Sequence, residues 1–111
     1  MKRNRSDGLC FVAVAYGGAG ELDTFEQANA WWVYGLEGKK LGKKQLMSLY
    51  PKNFQERIDA FEHSVIDVVI CRNFGPRAMA QLKALGLTLY TFSGGCDAAV
   101  KAWQAKELIK L

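Results

Sequence analysis

The chain is short of the residues that most often carry out chemistry. Its 111 residues include one histidine, two prolines and three cysteines. The lone histidine, His63, falls where a helical pattern gives way to a strand pattern, so no Ser/His/Asp arrangement can be built around it. Cys10, Cys71 and Cys96 are odd in number and widely spaced. That excludes a disulfide framework, and the lack of a CxxC or Cys/His quartet excludes structural zinc. Reduced thiols of this kind fit a cytosol, and a cytoplasmic location is expected. No stretch approaches the roughly 18 to 20 apolar residues of a membrane span. The start, "MKRNRSDG", is basic, but "LCFVAVAYGG" breaks on glycines too soon for a signal peptide. Repeats, linkers and low-complexity segments are missing as well. The expectation is one domain over residues 1–111, with 1–8 a flexible basic tail.

What is present is a core. Half the residues are apolar and 23% are charged, a balance suited to a folded domain rather than a disordered chain. The net charge of +4 mildly favours an anionic partner. Much of it lies in Lys2, Arg3 and Arg5 and in Lys39, Lys40, Lys43 and Lys44, which read as a solvated tail and a solvated hairpin tip. Aromatic residues do not interleave with these clusters, so nucleic acid is disfavoured as a partner.

"LCFVAVAY", Leu9 to Tyr16, is an unbroken apolar run stopped by glycines, the pattern of a strand buried on both faces. The Gly-rich "GGAGELDTFEQANA" leads into "WWVYGLEGKKLGKKQLMSLY", which has the composition of a β-hairpin with its second strand around Gln45 to Tyr50. Asn53 is a helix cap, and Phe54, Ile58 and Phe61 share one face of the helix it opens. "VIDVVIC", Val65 to Cys71, is a second buried strand. Gly75-Pro76 opens a helix whose Met79, Leu82 and Leu85 face the core and whose end is marked by Gly86. "LTLYTF" is a third buried strand. After Ser93-Gly94-Gly95 comes a last helix with Val100, Trp103 and Leu108 near one face. The order β, hairpin, α, β, α, β, α demands crossovers in its second half and an antiparallel edge. The expected fold is therefore α/β, a ribonuclease H-like three-layer sandwich with a mixed five-stranded sheet.

Ligands of open parallel sheets gather beyond the carboxyl ends of the strands. Three loops are expected there: Gly17 to Gly20, Arg72 to Gly75, and Ser93 to Cys96. The candidate cofactor-binding residues are Gly17, Gly18, Arg72, Asn73, Gly75, Arg77, Ser93, Gly94 and Gly95. Two of these loops enter helices, whose free amides and dipoles suit an anion. The same glycines equally serve tight turns. Cys71 ends its strand at this edge, and Cys96 stands where a helix dipole favours thiolate, a soft metal ligand. Packing is the competing role for both. A nuclease is excluded by the absence of clustered strand carboxylates, since Asp67 enters its strand at the wrong end.

Three segments carry a family resemblance. "DVVICRNFGPRAMAQLKALGLTLYTF" resembles the strand, Gly-Pro-x-Ala helix and following strand of the dinitrogenase iron–molybdenum cofactor-binding family. That family includes NifX-like and NafY-like proteins and the C-terminal part of NifB-like proteins. "SGGCDAAVKAWQAKEL" is similar to its closing turn and helix, and "DTFEQANAWWVYGLEGKKL" to its "HFGxAxxFxIYxxxxG" segment. The resemblance implies a non-catalytic carrier for an iron–molybdenum or related iron–sulfur or metal–sulfur cluster in nitrogenase cofactor biosynthesis. Its implied partners are the anionic metallocluster itself and nitrogenase maturation proteins, with the chain a monomer or weak dimer. Thr24 stands in place of the family's histidine and Glu26 in place of its glycine. Arg72-Asn73-Phe74 replaces a frequent Gly-Gly. Ligation would then pass to Cys71 or Cys96, or to no covalent ligand. The alternative is a metal-free protein-interaction module on the same fold.

Overall fold

In the computed structural model the described residues are 9–18, 20–37, 40–48 and 53–111; the expected tail at 1–8 and the tip containing Lys39 lie outside them. Eight elements follow in order: β1 (Leu9–Tyr16), β2 (Ala30–Glu37), β3 (Lys40–Ser48), α1 (Phe54–Glu62), β4 (Val68–Cys71), α2 (Pro76–Ala84), β5 (Thr88–Thr91) and α3 (Cys96–Gln104). The strands form one mixed sheet in the order β3-β2-β1-β4-β5. β1 pairs in parallel with β4, and β4 with β5, while the β2–β3 hairpin adds the antiparallel side.

Alternation along each strand sends side chains to opposite faces, and both faces are covered. Ala13, Ala15, Trp31, Val69 and Leu89 pack with Ile58 and Phe61 of α1 and Ala78 and Leu82 of α2. On the other face Val12, Val14, Tyr34, Leu36, Val68 and Ile70 meet Cys96, Ala99 and Val100 of α3. The result is three layers, α/β/α. This explains why β1 and β4 read as continuous apolar runs rather than alternating ones.

Local signals set the helix ends. Asn53 caps α1 in a reciprocal capping box: its side chain accepts from the Glu56 amide at 2.8 Å, and Glu56 accepts from the Asn53 amide at 3.0 Å. Pro76 begins α2, and Gly86 follows it with φ 88°, a left-handed conformation that a Cβ would strain. His63 closes α1, its Nδ1 lying 2.9 Å from the Asp59 carbonyl oxygen.

Four details differ from the sequence-based expectation. β3 begins at Lys40 rather than Gln45, because the hairpin ladder runs back to the tip. β4 begins at Val68; the Ser64 hydroxyl accepts from the Ile66 amide, forming a turn that leaves Val65 53% exposed. On α2, Ala78 and Leu82 are buried, whereas Met79 and Leu85 are only partly so. α3 stops at Gln104, so Leu108 reaches the core from the segment beyond it. That segment then covers β5, with the Leu111 amide donating to the Leu89 carbonyl at 3.0 Å. No described helix is long and apolar enough to cross a membrane.

Phe61 is fully buried, with its ring centroid 5.0 Å from that of Trp31 and 5.6 Å from that of Phe25. Phe61→Ala should lower the unfolding free energy by about 3 to 5 kcal/mol in urea titrations. Ile109→Ala, at a side chain 84% exposed, should change it by less than about 0.5 kcal/mol.

Candidate functional site

The three glycine-containing loops do converge at the carboxyl ends of β1, β4 and β5. Backbone hydrogen bonds join them directly. The Leu22 amide donates to Gly94 O at 2.9 Å and the Cys96 amide to Gly20 O at 3.2 Å, a bridge that sets Glu21 against Gly95. The Arg72 amide donates to Asp23 O at 2.9 Å and the Phe25 amide to Asn73 O at 3.0 Å. The β1–β2 connection is thus laced to the turn after β4 on one side and to the entry of α3 on the other.

This lacing uses amides that the sequence suggested would be free. Gly17 N–H donates to Glu21 O at 2.9 Å. At the start of α2, Gly75 N–H donates to Glu26 Oε2 at 2.8 Å, so a carboxylate of the chain itself stands at that helix N-terminus. Gly94 and Gly95, before α3, have amides that meet no acceptor among the described residues. Asn73 turns its Oδ1 back onto the Phe74 amide at 2.9 Å, and Ser93 is exposed.

The arginines are positioned differently from one another. Arg72 is exposed, and its Nη2 lies 3.7 Å from Asp23 Oδ1, an ion pair where the first two loops meet. Arg77 lies over the Phe54 ring at 4.2 Å, a cation–π contact that ties it to α1. The sequence pointed to a site of free amides with Arg72 and Arg77. Tertiary structure sets Asp23 beside Arg72 and Glu26 on the Gly75 amide, and these are the residues that sequence reasoning missed. The spacing of Glu21, Asp23 and Glu26 in "GELDTFEQ" was the available signal.

The cysteines correct the expected chemistry. Cys71 is completely buried on the α1/α2 face, and burial holds its thiol well above the ordinary value of 9.0, with Glu26 and Asp23 adding to the rise. Cys96 packs on the opposite face beneath α3. Burial raises its thiol pKa too, Asp97 adds to the effect, and Lys44 opposes it. The direction is upward, opposite to the thiolate expected at a helix start, with loss of hydration the largest cause. Both thiols are protonated at neutral pH, and the sheet stands between them. Among the described residues no group of three or more His, Cys, Asp or Glu side chains is arranged to hold a metal ion.

Comparison with known proteins defines the class. The family model described as "Dinitrogenase iron-molybdenum cofactor" matches residues 9–106, and the chain belongs to that family. Among solved structures, the fold is similar to that of PH0822, at 15% identity and TM-score 0.80 over 90% of this chain and 93% of that one. It is also similar to a candidate NifB protein from Thermotoga, at 21% identity and TM-score 0.72 over 92% of this chain and 93% of that one. The apo orange protein from Desulfovibrio gigas matches at 17% identity and TM-score 0.72 over 91% of this chain and 92% of that one. No curated protein sequence matches the chain.

Burial of the thiols sets a chemical expectation. In the native protein at neutral pH, Ellman's reagent should leave Cys71 unmodified and react slowly with Cys96, with half-buried Cys10 the fastest of the three. A folded-state thiol pKa above the unfolded value stabilises fully below about pH 9, and the gain is lost as pH rises through the folded value. Urea midpoints should therefore fall above pH 9, and by less in Cys71→Ala than in the unaltered chain.

Proposed function

We propose that the chain is a non-catalytic carrier for an anionic metal–sulfur cluster, of the iron–molybdenum cofactor or a related iron–sulfur kind. The observation that carries this reading is the convergence of the three loops at one sheet edge, in a chain of the cofactor-binding family. The cluster is cargo, held at the crevice mouth. The Arg72 guanidinium and the amides of Gly94 and Gly95 at the start of α3 would meet its sulfide edges, helped by the positive end of that helix. Asn73 and Ser93 would supply neutral donors. Because Cys71 and Cys96 are buried on opposite faces of the sheet, the contacts would be hydrogen bonds and ion contacts rather than metal–thiolate bonds. Asp23 and Glu26 oppose the charge of an anion, so binding should be weak enough to permit release to a recipient.

This reading takes the chain as a cytoplasmic participant in nitrogenase cofactor handling, working with maturation proteins as a monomer or weak dimer. The strand order and the two covered faces support assigning the fold to the ribonuclease H-like class.

The test is anaerobic mixing with isolated iron–molybdenum cofactor, followed by gel filtration and by metal and acid-labile sulfide analysis. A coloured, co-eluting complex is expected. Arg72→Ala should weaken it roughly fivefold, the scale of one exposed charge contact. Glu26→Gly removes a carboxylate and frees the Gly75 amide, so it should tighten binding about two- to fivefold. A colourless protein fraction would overturn the carrier role.

A further inference from the structure

The opposite end of the sheet holds a second feature, at the hairpin, where β2 and β3 lie beside the start of β1. The β2–β3 register steps from Tyr34↔Lys44 to Leu36↔Leu41, so β3 carries one residue more than β2 across this interval. This bulge has a consequence for side-chain direction. In an unbroken strand, residues three apart point to opposite faces. The extra residue puts Lys40 and Lys43 on the same face.

Glycine permits the close approach of the strands at the bulge. A Cβ on Gly42 would stand 2.8 Å from the Gly35 carbonyl oxygen, and one on Gly35 would stand 3.2 Å from the Phe11 ring. Beside these two glycines, which themselves line it, lies a cavity of about 380 Å³. Phe11, Val33 and Gly35 floor it, and Lys40, Lys43 and Gln45 wall its outer side, with Glu37 at the rim.

The cavity opens beside an unpaired strand edge. Among the described residues β3 pairs with β2 alone, and Gly42 to Leu46 are exposed, Leu46 at 56%. The strand "KLGKKQLMS" has three lysines and no carboxylate. Lys44 points to the other face, 3.6 Å from Asp97 and 4.5 Å from the Trp32 ring centroid. Lys40 and Lys43 remain as cations beside an apolar hollow. Edge lysines repel a second copy of the same edge, which would set like charges together. The same charges select an acidic strand.

We propose that the β3 edge docks an extended, carboxylate-rich segment of a partner protein as a sixth strand. An apolar side chain of that segment seats against Phe11 and Val33, and flanking carboxylates meet Lys40 and Lys43. Backbone pairing supplies attraction and the alternating side chains supply choice, as in other strand-addition complexes. The site is remote from the three-loop crevice, and the proposal does not depend on what that crevice carries.

The probe is a fluorescein-tagged peptide of alternating glutamate and valine, added to the full chain and followed by anisotropy and by amide NMR shifts. Saturable binding is expected, weakening as salt rises, with the largest shifts on β3. Lys40→Glu combined with Lys43→Glu should weaken it about tenfold or more; both side chains are exposed, and an unchanged melting temperature would verify folding. A peptide methylated on alternate backbone nitrogens should not bind. Absence of saturable binding would overturn the proposal. So would equal affinity for a lysine–valine peptide or for the double variant, shifts confined to the three loops, or self-association through β3 that excludes the peptide.

Discussion

Phe25 sits at zero exposure in the middle of an aromatic cluster, its ring near those of Trp31, Phe61 and Phe74, and much of the molecule's functional edge depends on that placement. The connection between β1 and β2 is long and rich in glycine, and it would sample many conformations if nothing held it. Burying one phenylalanine contributes on the order of 1.5 to 3 kcal/mol. That anchor brings the flanking backbone within reach of the turn after β4. The Phe25 and Arg72 amides then close hydrogen bonds across the gap, and Asp23 and Glu26 are set beside Arg72 and on the Gly75 amide. Arg57 secures the far end of the loop: buried in the core, it donates to the Ala28 carbonyl and to Asn29 Oδ1.

The chemistry of the crevice follows from competition between burial and charge. The start of α2 attracts an anion, and Glu26 supplies one from within the chain. At the start of α3 loss of hydration and the neighbouring Asp97 raise the Cys96 thiol pKa, and Lys44 opposes them. Tyr34 gives a similar lesson on the same face. Its hydroxyl donates to Asp97 Oδ1 at 2.7 Å, and burial, then that bond, push its pKa upward. Asp97 moves the other way, held below the usual carboxylate range chiefly by the hydroxyl it accepts from. For Cys96 and Tyr34 burial is the first cause of the shift, and for Asp97 the hydrogen bond from Tyr34 is.

The two ends of the sheet differ in what they leave open. At the carboxyl ends of the parallel strands the loops are stitched together, with a few donors and the exposed Arg72 guanidinium at the surface. At the hairpin end the ladder is interrupted, and a hollow lined by Gly35 and Gly42 lies beside the slip. One end offers polar groups to a small charged guest, and the other offers backbone and lysines to another strand.

Strand and helix identities were readable along the chain because they rest on local periods and stops. Apolar runs ended by glycine, Asn53 before an apolar helical face, Pro76 at a helix start and Gly86 past its end each act over a few residues. Their order also implied a mixed sheet, and with it the meeting of the three loops. Three things lay beyond that reach: which amides were already bonded, which face each cysteine occupied, and where the β3 ladder slipped. The sequence by itself determined the elements, their order and the family likeness. Tertiary structure alone decided that Glu26 faces Gly75, that Cys71 and Cys96 are parted by the sheet, and that Lys40 and Lys43 share a side. These facts depend on contacts between residues distant in the chain or on a single extra residue in a ladder, and neither leaves a periodic trace in the sequence.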